Sequence, residues 1–422
     1  MIRVILLSAF SLMTSFSFSQ GSYTLVIEGY DWGPSVNKLI IHLNKSIDSL
    51  DNSEFSAFVS RSISKNGKEF ILEYGKRNIQ KSYISDSKGK MIDKGSNITL
   101  VLEVGPHLTI DSPFHFDGMN QWVDYEVTIK NELSLKIWDT EINRIIPLVD
   151  DFSLDGEFLM SNDEGMNYAF YTPKNTPGNS HPLIIWLHGG GEGGKDTSIP
   201  LLANLVTNYA SAEIQQIFGG AYVLVPQSPT RWMDAGDNSP PTNGEKDDIY
   251  FKDLKRLFEK ILEENPNIDK NRIYLGGCSN GGYMSLKLLL EYPEFFTASF
   301  ISSLAYKSIY LNNDQLEIIK DKPIWFVHSK DDFITKPDET AVPIYNRLIQ
   351  SGAKNVHLSL YDHVIDISNM FGGESFRYPG HLSWIYLHAN KPMIDFDGTP
   401  VKIKGLPVSI MQWLAFQKTG DN

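Results

Sequence analysis

The 422-residue chain has one cysteine, Cys278, so no internal disulfide can form. No cysteine follows the N-terminal apolar run, which removes the simplest lipoprotein anchor. Positive charge is scarce: 38 Lys and Arg stand against 51 Asp and Glu, and a net charge of −13 argues against nucleic acid or an anionic membrane as partner. No apolar stretch reaches the roughly 20 residues that a transmembrane helix needs. Internal repeats are absent, which excludes propeller blades. His42, His107 and His115 are scattered without ligand spacing, so no metal is expected, and nothing calls for an organic cofactor.

What is present suits a globular protein of two domains, since 422 residues exceed one ordinary domain and 41% are hydrophobic. Met1-Ile2-Arg3 carries one positive charge, Val4 to Met13 is an apolar run too short to span a bilayer, and Ser17-Phe18-Ser19 has small residues at the spacing of a cleavage site. Residues 1–19 therefore read as a signal peptide, and the protein as secreted or periplasmic. Over residues 20–147, short β-rich runs (Tyr23–Ile27, Leu39–Leu43, Phe55–Val59, Phe70–Tyr74, Ile98–Leu102, Tyr125–Ile129) alternate with turn residues such as Asn66-Gly67. Six or seven such strands predict an all-β immunoglobulin-like sandwich. Over residues 148–422 a hairpin, Phe158–Met160 with Tyr168–Tyr171, leads into apolar runs alternating with helical ones. Leu183–Leu187, Ala221–Val225, Arg272–Leu275, Ala298–Ile301 and Pro323–Val327 read as strands covered on both faces. Asp248 to Glu264 reads as an amphipathic helix, with Asp247 as its cap. Alternation of this kind predicts a mostly parallel sheet flanked by helices.

The densest chemical signal is Gly276-Gly277-Cys278-Ser279-Asn280-Gly281-Gly282, between the strand-like Ile273-Tyr274-Leu275 and the helix-like Tyr283–Leu290. A strand, a tight turn with a central serine and a helix make the G-x-S-x-G nucleophile elbow of the α/β-hydrolase fold. Gly277 and Gly281 lack side chains so that strand and helix can pack closely, while Cys278 reads as small apolar filler. A serine hydroxyl needs a base, and this fold orders its residues Ser, Asp, His. The acid lies in His328-Ser329-Lys330-Asp331-Asp332, with Asp332 preferred and Asp331 as rival. The base is His381, in Tyr378-Pro379-Gly380-His381-Leu382-Ser383-Trp384, with His363 as rival. The oxyanion needs two backbone donors: the N–H of Asn280, and one from the glycine loop His188–Gly194, where Gly190 is preferred and Gly191 adjoins it at the substrate. That loop is not a P-loop, because Gly194-Lys195 is followed by Asp196.

With these residues placed, the chain resembles bacterial secreted esterases that carry an immunoglobulin-like domain ahead of an α/β-hydrolase domain. The resemblance rests on Glu28-Gly29-Tyr30-Asp31-Trp32-Gly33-Pro34 with Val36 and Lys38, on the loop His188–Gly194, on Ser279-Asn280-Gly281-Gly282, and on Gly380-His381 with Ser383-Trp384. Pro226-Gln227 and Arg231-Trp232-Met233-Asp234 look like the family's site-lining loop, which implies Trp232 as a side chain lining the acyl or alcohol pocket; the alternative is a packed loop aromatic. Ser329 departs from the glycine that related hydrolases often carry after the histidine. The elbow also looks like that of polyhydroxyalkanoate depolymerases and feruloyl esterases. The expectation is a serine carboxylesterase acting on a small-molecule or polymeric ester, with the sandwich able to bridge subunits of a homo-oligomer. The alternatives are a peptidase of the prolyl-oligopeptidase type, a feruloyl or acetyl polysaccharide esterase, and a polyester depolymerase. A non-enzymatic scaffold is disfavoured by the ordered Ser, Asp and His.

Overall fold

A computed structural model describes residues 21–50, 55–131, 136–145, 158–174 and 180–420. The expected signal peptide at 1–19 and the expected domain junction at 147/148 lie outside the described residues. No helix among the described residues is long and apolar enough to cross a membrane.

The N-terminal strands are β1 (Gly21–Tyr30), β2 (Gly33–Ile47), β3 (Phe55–Lys65), β4 (Lys68–Arg77), β5 (Ile79–Ser85), β6 (Gly95–Leu102), β7 (Phe114–Phe116), β8 (Asn120–Trp122), β9 (Asp124–Asn131) and β10 (Lys136–Ile145). Eight form one sheet in the order β4-β3-β9-β10-β1-β2-β6-β5, and β7 pairs with β8 as a separate hairpin. The pairings β3–β4, β3–β9, β9–β10, β2–β6 and β5–β6 are antiparallel. This antiparallel domain fits an immunoglobulin-like sandwich. Side-chain alternation makes it so: in β9, Tyr125, Val127 and Ile129 are buried while Asp124, Glu126 and Lys130 are exposed. Each of the six β-rich runs lies within a strand; the polar β5 and the short β7–β8 hairpin carry too little apolar pattern to be seen in advance.

The chain divides into two compact units. One gathers Lys38–Glu103 and Asp124–Arg144 with the start of β1; the other gathers Val26–Asn37, Val104–Val123 and Ile145–Asn422. The larger unit thus takes two stretches from the N-terminal third. One contains the Glu28–Pro34 motif and the other contains the β7–β8 hairpin.

The larger unit holds the second sheet: β11 (Phe158–Asp163), β12 (Met166–Tyr171), β13 (His181–Leu187), β14 (Tyr222–Gln227), β15 (Ile268–Cys278), β16 (Ala298–Ser302), β17 (Ile324–Ser329) and β18 (Val356–Tyr361). Their order is β11-β12-β14-β13-β15-β16-β17-β18. The β11–β12 and β12–β14 pairs are antiparallel, and the rest are parallel. Every residue of β13, β14, β16 and β17 is buried, as continuous apolar runs require when both faces are covered. The helix Phe251–Glu264 buries Phe251, Leu254, Leu257, Phe258, Ile261 and Leu262, the expected face. Its start differs from expectation. Asp248, not Asp247, accepts the N–H groups of Tyr250 and Phe251, both at 3.0 Å. Asp247 instead pairs with Lys287 at 2.7 Å, because the helix begins three residues later than its polar-to-apolar boundary suggests.

Candidate active site

β15 runs to Cys278 and the helix Asn280–Glu291 starts two residues later, so Ser279 must turn the chain alone. It does so at φ 54°, ψ −114°, a left-handed conformation that a side-chain-bearing residue adopts only under strain. Packing enforces the strain. A Cβ on Gly281 would lie 1.9 Å from Leu187 O, and one on Gly277 would lie 2.5 Å from Gly281 O. The turn is pinned by Ser279 N–H donating to Ser302 O at 3.0 Å. Ser279 stays partly exposed, whereas Cys278 and Asn280 are buried. Burial raises the Cys278 thiol well above its ordinary range, so it sits as an un-ionised filler beneath the serine.

Two long-range partners reach the serine. His381 Nε2 lies 2.9 Å from Ser279 Oγ, and His381 Nδ1 lies 2.9 Å from Asp332 Oδ2. Each partner is held by its own surroundings. His381 sits in the 3₁₀ turn Gly380–Leu382, and a Cβ on Gly380 would meet Asp331 Oδ1 at 2.2 Å and Asp332 N at 2.7 Å, so only glycine lets the turn approach the acid. Ser303 Oγ donates to His381 O at 2.6 Å and fixes the turn from the other side. Asp332 is 2% exposed. Its Oδ1 accepts the N–H groups of Ile334 (2.9 Å) and Thr335 (3.0 Å), and Oδ2 lies 2.8 Å from Thr335 Oγ1 and 3.1 Å from His328 Nε2. Burial works to raise its pKa, but the hydrogen bonds from His328 and His381, with the charge on His381, hold it far below the carboxylate range. This setting favours the carboxylate form of Asp332. His328 is wholly buried and burial lowers its pKa, so it serves Asp332 as a neutral donor.

The rivals form a separate pair. His363 Nδ1 lies 2.8 Å from Asp331 Oδ2, in a half-exposed contact. Ser329, the departure from the family pattern, is fully buried and its hydroxyl donates to Asp331 Oδ1.

The donor loop is tied in three places. Gly194 N–H donates to Ser228 O at 2.8 Å, Gln227 Nε2 to Glu192 O at 2.9 Å, and Asn120 N–H to Gly191 O at 2.7 Å. The Cβ position of Gly190 lies 3.7 Å from Asn280 Cβ, so the glycine loop and the start of the helix after Ser279 are neighbours. Asn280 Oδ1 accepts Trp232 N–H at 2.6 Å, and Trp232 Nε1 donates to His188 O at 3.0 Å. This corrects the expectation for Trp232. It is 0% exposed and braces the loop from behind, because its indole is consumed by His188 O and by packing on the His188 ring at 4.9 Å. Four contributors have no short-range sequence signal: Thr335, Ser303, the β7–β8 hairpin and Glu192. Only His328 had one, four residues before Asp332.

Glu192 is buried between the loop and Cys278. Burial pushes its carboxyl up from 4.5 to about 7, against hydrogen bonds from Gly189 and Asn204 that lower it. No group of three or more His, Cys, Asp or Glu among the described residues could hold a metal ion.

The sheet order, the strained serine between strand and helix, and the acid and base on loops after late strands define an α/β-hydrolase. Residues 22–144 match the family described as the esterase Ig-like N-terminal domain, and residues 161–360 match the Esterase family. The protein is thus an esterase of the α/β-hydrolase type, a carboxylic ester hydrolase with an esterase Ig-like domain at its N-terminal end. Among solved structures, a thermostable esterase aligns at TM-score 0.71 and 22% identity, over 94% of this chain and 99% of its own, and so shares the fold of both parts. An acylaminoacyl peptidase from Pyrococcus horikoshii aligns at TM-score 0.38 and 15% identity, over 90% of this chain and 71% of its own. A ferulic acid esterase aligns at TM-score 0.36 and 14% identity, over 49% and 88%.

Proposed function

We propose that this esterase is a secreted or periplasmic serine carboxylesterase working through an acyl-enzyme. The supporting observation is the hydrogen-bonded line from Ser279 Oγ to His381 Nε2 and from His381 Nδ1 to Asp332 Oδ2, each step 2.9 Å. In this reading His381 removes the Ser279 proton as Oγ attacks the ester carbonyl, then delivers it to the departing alcohol. Asp332, whose carboxylate form its hydrogen bonds favour, selects the tautomer with Nδ1 protonated and stabilises the imidazolium. The backbone N–H groups of Asn280 and Gly190 receive the oxyanion, and losing one such donor typically costs about 2.7–4 kcal/mol of barrier. Water then repeats the cycle on the acyl-enzyme. Gly191 borders the substrate beside these donors. The division into an export signal at 1–19, a sandwich at 20–147 and a catalytic domain at 148–422 belongs to the same proposal, as does a homo-oligomer built through the sandwich.

The test is labelling of the purified protein with a fluorophosphonate, repeated with Ser279→Ala. The expected result is labelling of the wild type alone, and an unlabelled wild type overturns the reading. A panel of acetyl, butyryl, long-chain, feruloyl, polyester and peptide substrates then assigns the subclass.

A further inference from the structure

The β7–β8 hairpin lies within the stretch matched by the N-terminal family, yet it belongs to the larger compact unit and stands against the donor loop. Asn120 N–H donates to Gly191 O, and a Cβ on Gly191 would lie 3.1 Å from Phe116 Cε2 and 3.6 Å from Asn120 Nδ2. Other ties hold the hairpin in register. Trp122 Nε1 donates to Ser198 Oγ at 3.0 Å, Arg231 Nη2 to Gly118 O at 3.4 Å, and the Phe114 and Trp122 rings meet edge to face at 4.6 Å. Phe114 is buried, but Phe116 is 63% exposed. A single exposed aromatic is ordinary. This one is set apart by its place: its ring edge occupies the space a side chain on Gly191, the residue next to Gly190, would need, while Phe116 as a whole stays largely exposed.

The direction of the chemistry says which part of an ester comes there. The leaving alcohol must lie on the His381 side, because Nε2 has to reach its oxygen. With the carbonyl oxygen held by the donors and the alcohol on the His381 side, the acyl substituent takes the remaining direction, away from His381, and Phe116 offers an exposed apolar ring beside the donor loop. We infer that Phe116 is a specificity-determining residue whose exposed ring forms a wall for the apolar acyl group of the ester, supplied by a hairpin from the N-terminal stretch. The inference rests on the serine-esterase reading above.

The experiment compares p-nitrophenyl acetate with p-nitrophenyl octanoate, which share a leaving group and differ only in the acyl chain, on the wild type, Phe116→Ala and Phe116→Leu. Removing an apolar contact of this size should raise KM for the octanoate about tenfold and leave kcat within about twofold, because binding is lost equally from ground and transition states. The acetate should change by less than about twofold, and leucine should restore most of the octanoate binding. Equal losses on both esters, or none on either, overturn the inference. If alanine lowers the thermal midpoint, the leucine variant and Phe116→Gln carry the same comparison, since both keep side-chain bulk and only the glutamine should lose the octanoate preference. A wild type that hydrolyses neither ester and takes no fluorophosphonate sinks the serine-esterase reading instead.

Discussion

Gly281→Ala tests the mechanical basis of the elbow. The added methyl would lie 1.9 Å from Leu187 O, 2.4 Å from Leu187 C and 2.6 Å from His188 O. All three are backbone atoms at the end of β13 and the start of the donor loop, so no side-chain rotation relieves the clash. Ordinary contact at 3.4 Å requires a separation of about 1.5 Å between helix and strand. The helix cannot yield freely, because Asn280 through Leu290 are all buried. Overpacking of this kind costs about 1–3 kcal/mol or more of stability. The catalytic cost should be larger: Ser279 Oγ and the Asn280 N–H sit at the helix's first turn, and a misplacement of about 1 Å can cost about 10²-fold in rate. The expectation is a fall in kcat/KM of at least about 10²-fold with a thermal midpoint several degrees lower. Steady-state kinetics on an activated ester and thermal unfolding read both. Gly190→Ala is the control. Its Cβ would stand 3.7 Å from Asn280 Cβ, an ordinary contact, and its N–H is retained. If Gly281→Ala keeps near-native activity and stability, close strand–helix packing is not what holds the serine.

Two further outcomes are expected. His381→Ala should lower kcat/KM by several orders of magnitude, while His363→Ala, whose imidazole pairs with the half-exposed Asp331, should change it less than about threefold; comparable losses in the two variants would mean that the base is wrongly assigned. Glu192→Gln should alter the pH dependence of stability. The folded carboxyl holds its proton up to about pH 7, whereas the unfolded one releases it near 4.5, so wild-type stability should decline as pH rises through that window. The decline should amount to about 3 kcal/mol, and glutamine should flatten it. Denaturant unfolding at about pH 5 and about pH 8 measures the difference, and identical slopes for the two proteins would refute the assignment.

The elements that position the site were legible because each depends on local pattern. β13, β14, β16 and β17 are apolar throughout because both faces are covered, and the helix Phe251–Glu264 shows its buried stripe directly. The serine was legible because the elbow needs glycine at Gly277 and Gly281, and the structure supplies the carbonyl oxygens that demand them. What was not legible is whatever depends on which loops meet. Trp232 read as a pocket aromatic because its neighbours suggested a lining loop; only the meeting of that loop with His188 O and Asn280 turns it into a buried brace. The β7–β8 hairpin has three residues per strand, too few for any periodicity, and its contact with Gly191 spans some seventy positions of chain.

The choice between Asp331 and Asp332 shows where such reading reaches its limit and what completes it. Adjacent aspartates on one loop have the same charge, reach and sequence distance from the serine, so nothing local separates them. Structure separates them through satisfaction of their oxygens. Asp332 is 2% exposed, and a buried carboxylate is tolerable only with its lone pairs filled. His381, His328, Thr335 and two backbone N–H groups fill them. Asp331 is left to Ser329 and to a partly solvated His363, a contact that orders a surface loop without excluding water. Gly380 lets the His381 turn come close enough for this sorting, since any side chain there would strike Asp331 first. The serine at 329, the glycine at 380 and the paired rivals are therefore parts of one arrangement. The second Asp–His pair stands apart from the Ser279–His381–Asp332 line, and Ser329 still holds the Asp331 carboxylate once the imidazole is gone, which is why removing His363 should leave the chemistry intact.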